Sequence, residues 1–299
     1  MKELNMSRII RGFDRSLRFR FIFAQTKEIV EEARIIHQTS TTATAAIGRL
    51  LTQAVIMGTE LKGDKDSLTL TLQGNGPAGK LIAVADSHHH VKGYLEHPEI
   101  EIPSREDHKL DVGAFIGHQG VLSVVRDYGL KEPYQAKSPI VSGEIAEDFA
   151  YYYANSEQIP TFLVLGVLVD TDYSVKAAGG LLIQAMPGVK DEEFSDLEEC
   201  VHNLPGFSNL LADLSMEDIL SRYFAKMDFE VLAEDGASYH CDCSEEKVRR
   251  ALKSIGNDEL KSLQEENENT EVVCEFCNTK YSYTKEDLQT FMEERGTKE

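Results

Sequence analysis

Cys241-Asp-Cys243 and Cys274-Glu-Phe-Cys277 stand near the end of a 299-residue chain, separated by residues 244–273. Thiolate sulfur is the softest ligand a protein offers, and a tetrahedral Zn²⁺ takes four such donors. A C-x-x-C turn lets two sulfurs face one ion, and C-x-C does the same more tightly. The spacing therefore predicts a single Zn²⁺ held by Cys241, Cys243, Cys274 and Cys277. Two other readings stay open on the residues alone. The four thiols suit two structural disulfides, an arrangement typical of secreted proteins. They also suit a zinc ion that only holds a small module together.

The start of the chain, Met1 through Arg11, is too charged for a signal peptide and has no apolar stretch of the required kind. No apolar run reaches the 18 residues of a membrane span. A cytoplasmic location is expected, where close cysteine pairs are metal-binding or redox-active.

The length suggests about two domains, and 41% hydrophobic residues suffice for a core. A net charge of −20 argues against nucleic acid and against anionic membrane surfaces as partners, because both attract Lys and Arg. The acidity is uneven. Residues 187–240 hold 13 acids against 3 bases, half of the whole excess. Such density repels itself and weakens packing.

In chain order, residues 8–23 alternate charged and apolar groups and read as a strand. Helical spacing follows at 27–37 and 41–59, the second run rich in small residues (Ala46, Leu50, Ala54 and Met57 on one side) and suited to a closely packed, buried helix. Ser67–Gln73, Lys80–Asp86 and Val91–Glu96 read as three strands of an antiparallel meander, with a glycine-rich turn at 74–79. His88, His89 and His90 fall in the turn between the second and third of these. Neighbours in a strand point to opposite faces, so they read as a solvated turn and not as a metal site. Gly113–Gly120 lacks the Lys-Ser/Thr of a phosphate loop and precedes its strand, so nucleotide binding is not expected. Ser142 is expected to cap a helix to Tyr153, with Glu144, Glu147 and Asp148 as acids of its start. Apolar strands are expected at 161–169 and 174–186, the latter broken by Gly179 and Gly180. Pro187-Gly188 closes the first domain, and residues 1–186 contain no convincing nucleophile–base pair.

The acidic segment keeps a helical period. Phe194, Leu197, Val201 and Leu204 share a face, and after Pro205-Gly206 so do Met216, Ile219, Leu220, Tyr223, Phe224 and Met227, with Ser215 and Asp218 as a cap. Helices of this kind are stable only when the apolar face is covered. Cys200 lies here and reads as an ordinary half-buried thiol. In 241–299, Ser244 caps a helix bearing Val248, Ala251, Leu252 and Ile255 and ended by Gly256. A polar turn is expected at 265–269, and Thr284 and Asp287 start a last helix carrying Leu288, Phe291 and Met292. So small a module has little core and usually needs a metal or disulfides.

The wording Cys-Asp-Cys-Ser and Cys-Glu-Phe-Cys-Asn resembles the redox-regulated heat-shock holdases of the 33-kilodalton chaperonin family. The likeness extends to residues 43–51, 74–79, 143–150, 156–158 and 177–180, so it covers nearly the whole chain. It implies an α+β fold: an N-terminal domain over 1–186 with a mainly antiparallel sheet packed by helices, an acidic helical linker over 187–240 and a zinc-binding redox-switch domain over 241–299. It implies an ATP-independent chaperone of the stress response, not an enzyme, which binds unfolded or partly folded client proteins and forms a homodimer on activation. The reduced, zinc-bound form would be inactive. Oxidation would pair Cys241 with Cys243 and Cys274 with Cys277, release zinc and unfold the linker. The histidine-rich turn and Cys200 depart from the family pattern. Two alternatives remain: a constitutive zinc-stabilised protein-interaction module, and a hydrolase using the carboxylates near 144–148.

Overall fold

The computed structural model describes residues 7–266 and 268–296. The chain divides into two compact units between His240 and Cys241. The first is built on a ten-stranded sheet with strand order β7-β6-β3-β4-β5-β10-β1-β2-β9-β8. Its strands are β1 (Ser7–Asp14), β2 (Phe19–Gln25), β3 (Ser67–Gly74), β4 (Lys80–Asp86), β5 (His90–Leu95), β6 (Gly120–Asp127), β7 (Tyr134–Pro139), β8 (Thr161–Val169), β9 (Val175–Ala185) and β10 (Phe229–Tyr239). The pairings are antiparallel except the short parallel match of β10 to β5, where Ser238 lies opposite His90 and Tyr239 opposite Val91. The fold is α+β with a mainly antiparallel sheet, in line with the sequence.

Strand alternation decides which side each residue serves. Ile9, Ile22 and Ala24 belong to one core, and their neighbours Ile10, Phe21 and Phe23 to another. The first core is covered by α1 (Lys27–His37) and α2 (Thr41–Gly58), joined by the short α3 (Val112–Ile116) and α4 (Ala146–Tyr152). Helix α2 is buried nearly all round, as its run of small residues predicts. Its start is held twice. Ser40 accepts the Ala43 N–H at 3.1 Å, and the Glu101 carboxylate takes the Thr41 N–H and both the Thr41 and Thr42 hydroxyls at 2.6–2.7 Å.

The second core lies under the acidic segment. Helices α5 (Ser195–His202), α6 (Phe207–Asp213) and α7 (Met216–Tyr223) rest on Phe19, Phe21, Phe23, Leu181 and Ile183. The expected stripe is the buried one: Leu197, Met216, Ile219, Leu220, Phe224 and Met227 are all buried, with Tyr223 half-buried. Each such side chain contributes about 1.5–3 kcal/mol of burial. That burial offsets the repulsion within the segment.

The sequence reading missed β7, α3, α6 and the helix at 257–266, and four further details differ from it. Residues 8–23 are two strands, because buried Asp14 accepts the Arg18 and Phe19 N–H groups at 2.7 and 2.6 Å and turns the chain back through Leu17 at φ +56°. The helix expected from Ser142 starts at Ala146. Asp148, fully buried, accepts the N–H groups of Val141, Ser142, Gly143 and Ile145, and so ties down the approach instead. Strand β9 runs unbroken through Gly179 and Gly180. A Cβ on Gly180 would lie 2.6 Å from Leu165 and 3.0 Å from Thr52, and one on Gly179 2.5 Å from the Ala24 carbonyl. These glycines let packed neighbours approach closely; they do not end the strand. Finally, the helices of the acidic segment stop at Tyr223, followed by a single 3₁₀ turn, and residues 229–239 enter the sheet as β10.

The second unit contains α8 (Glu245–Ser254), α9 (Asn257–Glu266), the hairpin of β11 (Asn269–Val273) and β12 (Lys280–Thr284), and α10 (Lys285–Gly296). Ser244 caps α8, and Thr284 with Asp287 caps α10. Of the expected polar turn at 265–269, the first two residues close α9, Asn269 begins β11, and Asn267 lies outside the described residues. Among the described residues the core of this unit is Leu252, Leu260, Tyr283, Leu288, Phe291 and Met292. Val248 and Ile255 are half-buried beside it, whereas Ala251 is exposed. Among the described residues no helix is long and apolar enough to cross a membrane.

Candidate metal centre

The second cysteine pair sits in the turn of the β11–β12 hairpin. The Cys274 carbonyl accepts the N–H of Cys277 at 3.3 Å and of Asn278 at 2.8 Å, and Asn278 adopts φ +57°. This tight turn holds two sulfurs within reach of one ion. The first pair leads into α8.

All four sulfurs lie within 4.8 Å of one another. Cys241 Sγ is 3.7 Å from Cys274 Sγ, and Cys243 Sγ is 3.3 Å from Cys277 Sγ. Four sulfurs at about 2.3 Å from one tetrahedral ion stand about 3.8 Å apart. Donor type, number and spacing fit a thiophilic divalent ion, and these four residues could hold it. All four are half-buried free thiols.

Two neighbours complete the site, and the sequence reading assigned neither a role. The Tyr281 hydroxyl donates to Cys243 Sγ at 3.1 Å, and Thr279 Oγ1 lies 3.2 Å from Cys277 Sγ. Both follow the knuckle on β12 or just before it, so the available signal was a hydroxyl two and four residues past Cys277. Without a cation the sulfurs divide their protons unevenly. Burial raises Cys241 well above the ordinary thiol value and also raises Cys274. Burial acts the same way on Cys277, but hydrogen bonds from Thr279 and from the neighbouring cysteines outweigh it and bring the thiol down to about 7. Four thiolates this close cannot all ionise unaided, and a divalent ion relieves that conflict.

The remaining candidates are placed elsewhere. Cys200 is buried in the core beneath the acidic segment of the first unit, and burial raises its thiol. Glu144 pairs with Arg49 at 2.6 Å and reaches Arg105 at 3.5 Å, and Asp148 is consumed by backbone N–H groups, so these carboxylates serve structure. The glycines of 113–120 sit against backbone: a Cβ on Gly117 would lie 2.4 Å from the Gly76 nitrogen, and one on Gly120 2.1 Å from the Gln73 carbonyl. His88 and His89 occupy the β4–β5 turn and His90 begins β5.

Fold and donor set together define a protein with a compact four-thiol cluster, suited to a metal ion, following an α+β unit of mainly antiparallel sheet. The Hsp33 protein family profile matches residues 7–284. The 33 kDa chaperonin of Alkaliphilus metalliredigens is 42% identical over 289 residues, spanning 96% of this chain and 99% of that protein. That of Clostridium acetobutylicum is 45% identical over 271 residues, spanning 90% and 91%. The crystal structure of the 33 kDa chaperonin (heat shock protein 33 homolog) of Thermotoga maritima superposes with a TM-score of 0.88 at 39% identity, covering 98% of this chain and 100% of that one. The chain belongs to the Hsp33 protein family.

Proposed function

We propose that this chain is a redox-regulated, ATP-independent holdase of the cytoplasm, which keeps unfolding client proteins from aggregating under oxidative or heat stress. The observation that carries this reading is the gathering of four thiols, from two pairs 30 residues apart, in a unit with so small a core. A zinc ion, when bound, would hold all four sulfurs as thiolates and supply much of the folding free energy of residues 241–299, on the order of 10–16 kcal/mol.

The switch is a matter of donor count. Joining Cys241 to Cys243 takes two electrons and two protons from the pair, which reduce one peroxide to water. Two donors then remain, too few for a tetrahedral thiolate centre. Joining Cys274 to Cys277 removes the rest. This pairing follows the family resemblance. With the centre gone, the six side chains buried among the described residues are a poor core for the second unit. The acidic segment is the part of the first unit poised to loosen next, since it carries 13 acids against 3 bases. Its release uncovers Phe19, Phe21, Phe23 and the apolar faces of α5–α7. Apolar surface beside dense negative charge binds unfolded chains and keeps the complex soluble. Activation accompanied by homodimer formation is consistent with that exposure.

The test compares suppression of client aggregation by the reduced, zinc-loaded protein and by the peroxide-treated protein. Protection is expected only after oxidation. Equal protection by both forms removes the switch, and protection lost on oxidation favours a constitutive zinc-stabilised interaction module.

A further inference from the structure

The histidines of the β4–β5 turn acquire a partner that the order of residues conceals. The parallel match of β10 to β5 sets Ser238 opposite His90, which carries His240 alongside. The His90 and His240 ring centroids are 4.7 Å apart, and those of His88 and His90 are 6.0 Å apart. Two imidazoles bound to one tetrahedral ion at about 2.0–2.1 Å place their centroids about 5 Å apart. His240 thus stands at nearly that separation from His90, with His88 farther from the same ring.

A second observation concerns Asp86. Its Oδ1 accepts the N–H groups of His88 and His90 at 2.9 and 3.0 Å, and its Oδ2 lies 3.1 Å from His90 Nδ1. The carboxylate therefore fixes the turn and takes the Nδ1 proton of His90, leaving Nε2 as a free donor atom. That is the arrangement in which metal-binding histidines are oriented by an outer carboxylate. His89 does not belong to the set: at φ +59° it departs from the strand, and its burial lowers its pKa.

We propose that His88, His90 and His240, oriented through Asp86, form a second metal site, specific for a borderline divalent cation of the Zn²⁺, Ni²⁺ or Cu²⁺ type. Imidazole nitrogens suit these ions and not Mg²⁺ or Ca²⁺. Among the described residues only the four cysteines bring three or more donor atoms to metal-binding spacing, so the ring nitrogens of His88, His90 and His240 must converge on the ion as it binds. His88 and His240 are exposed, which leaves their rings room to turn toward His90. The site lies wholly in the first unit and does not depend on the redox reading above.

The test uses the full chain, reduced and loaded with one zinc at the cysteines, titrated with Ni²⁺ by calorimetry, with zinc counted before and after. One Ni²⁺ per chain is expected at micromolar Kd with the zinc retained. The double variant His88→Ala/His240→Ala changes only exposed rings, so its fold is secure, and it should weaken binding at least tenfold. Asp86→Asn should weaken it by about 10–100-fold. His202→Ala, an exposed histidine on α5, should change nothing. Absence of a second equivalent, Ni²⁺ entering only by displacing zinc, or a titration unchanged in the double variant overturns the site.

Discussion

The Tyr281 hydroxyl lies 3.1 Å from Cys243 Sγ, reaching from β12 to a cysteine 38 residues earlier. In the free thiol state this contact raises the Tyr281 pKa strongly, chiefly through that hydrogen bond. On a thiolate centre the hydroxyl donates to sulfur and steadies its charge. Tyr281→Phe should therefore lower zinc affinity about 10–100-fold, as loss of an outer hydrogen bond does elsewhere. Competition against a chromophoric chelator measures it, and unchanged affinity would show the hydroxyl to be incidental.

Stripping the metal should unfold the second unit. The core of Leu252, Leu260, Tyr283, Leu288, Phe291 and Met292 is too small to stand by itself. Hydrogen exchange on the reduced protein, before and after a strong chelator, should show protection lost across 241–296 and retained in β3, β4 and β6. Protection surviving in α8 and α10 would mean that the module folds without an ion.

Ile219 is fully buried in the face that α7 turns to the sheet. Ile219→Ala should destabilise the acidic segment by about 2–5 kcal/mol. The variant should suppress client aggregation at lower oxidant than the parent, because the loosening that follows oxidation starts nearer completion. A dose–response curve with peroxide gives the comparison.

Cys200 reports the same opening. At 5% exposure, with its thiol pKa raised by burial, it should resist alkylation in the zinc-loaded protein. Mass spectrometry after oxidation should find it labelled, with a faster rate in Ile219→Ala. Rapid labelling before oxidation would place the segment open in the resting state.

Glu101 links stability to acid. Burial works to raise its pKa, but hydrogen bonds from the Thr42 and Thr41 hydroxyls and from their backbone N–H groups prevail, and the value falls below the ordinary 4.5. A depressed folded-state pKa adds stability that is complete above 4.5 and is lost as pH falls through the folded value. Glu101→Gln should lower the melting temperature near neutral pH and narrow the difference from the parent as pH drops below 4.5. A gap that widens on acidification would contradict the assignment.

The centre was legible because its information is local. Two sulfurs two or three residues apart can share an ion whatever the rest of the chain does, and the intervening spacing only has to bring the pairs together. The stripe on α7 and the caps at Ser215, Ser244 and Thr284 were legible for the same reason, since helical period and capping reach no further than four residues. Tyr281 and Thr279 were missed because a hydroxyl near a cysteine has no signature until the hairpin aims it.

Residue type and spacing alone thus determined the four-thiol cluster, most of the helices and most of the strands. Tertiary structure alone decided what the acidic helices lie on, that 229–239 is a strand, and that His240 stands beside His90. Strand pairing joins residues distant in the chain, here about 150 positions apart, and the alternation that marks a strand does not say which neighbour it will choose.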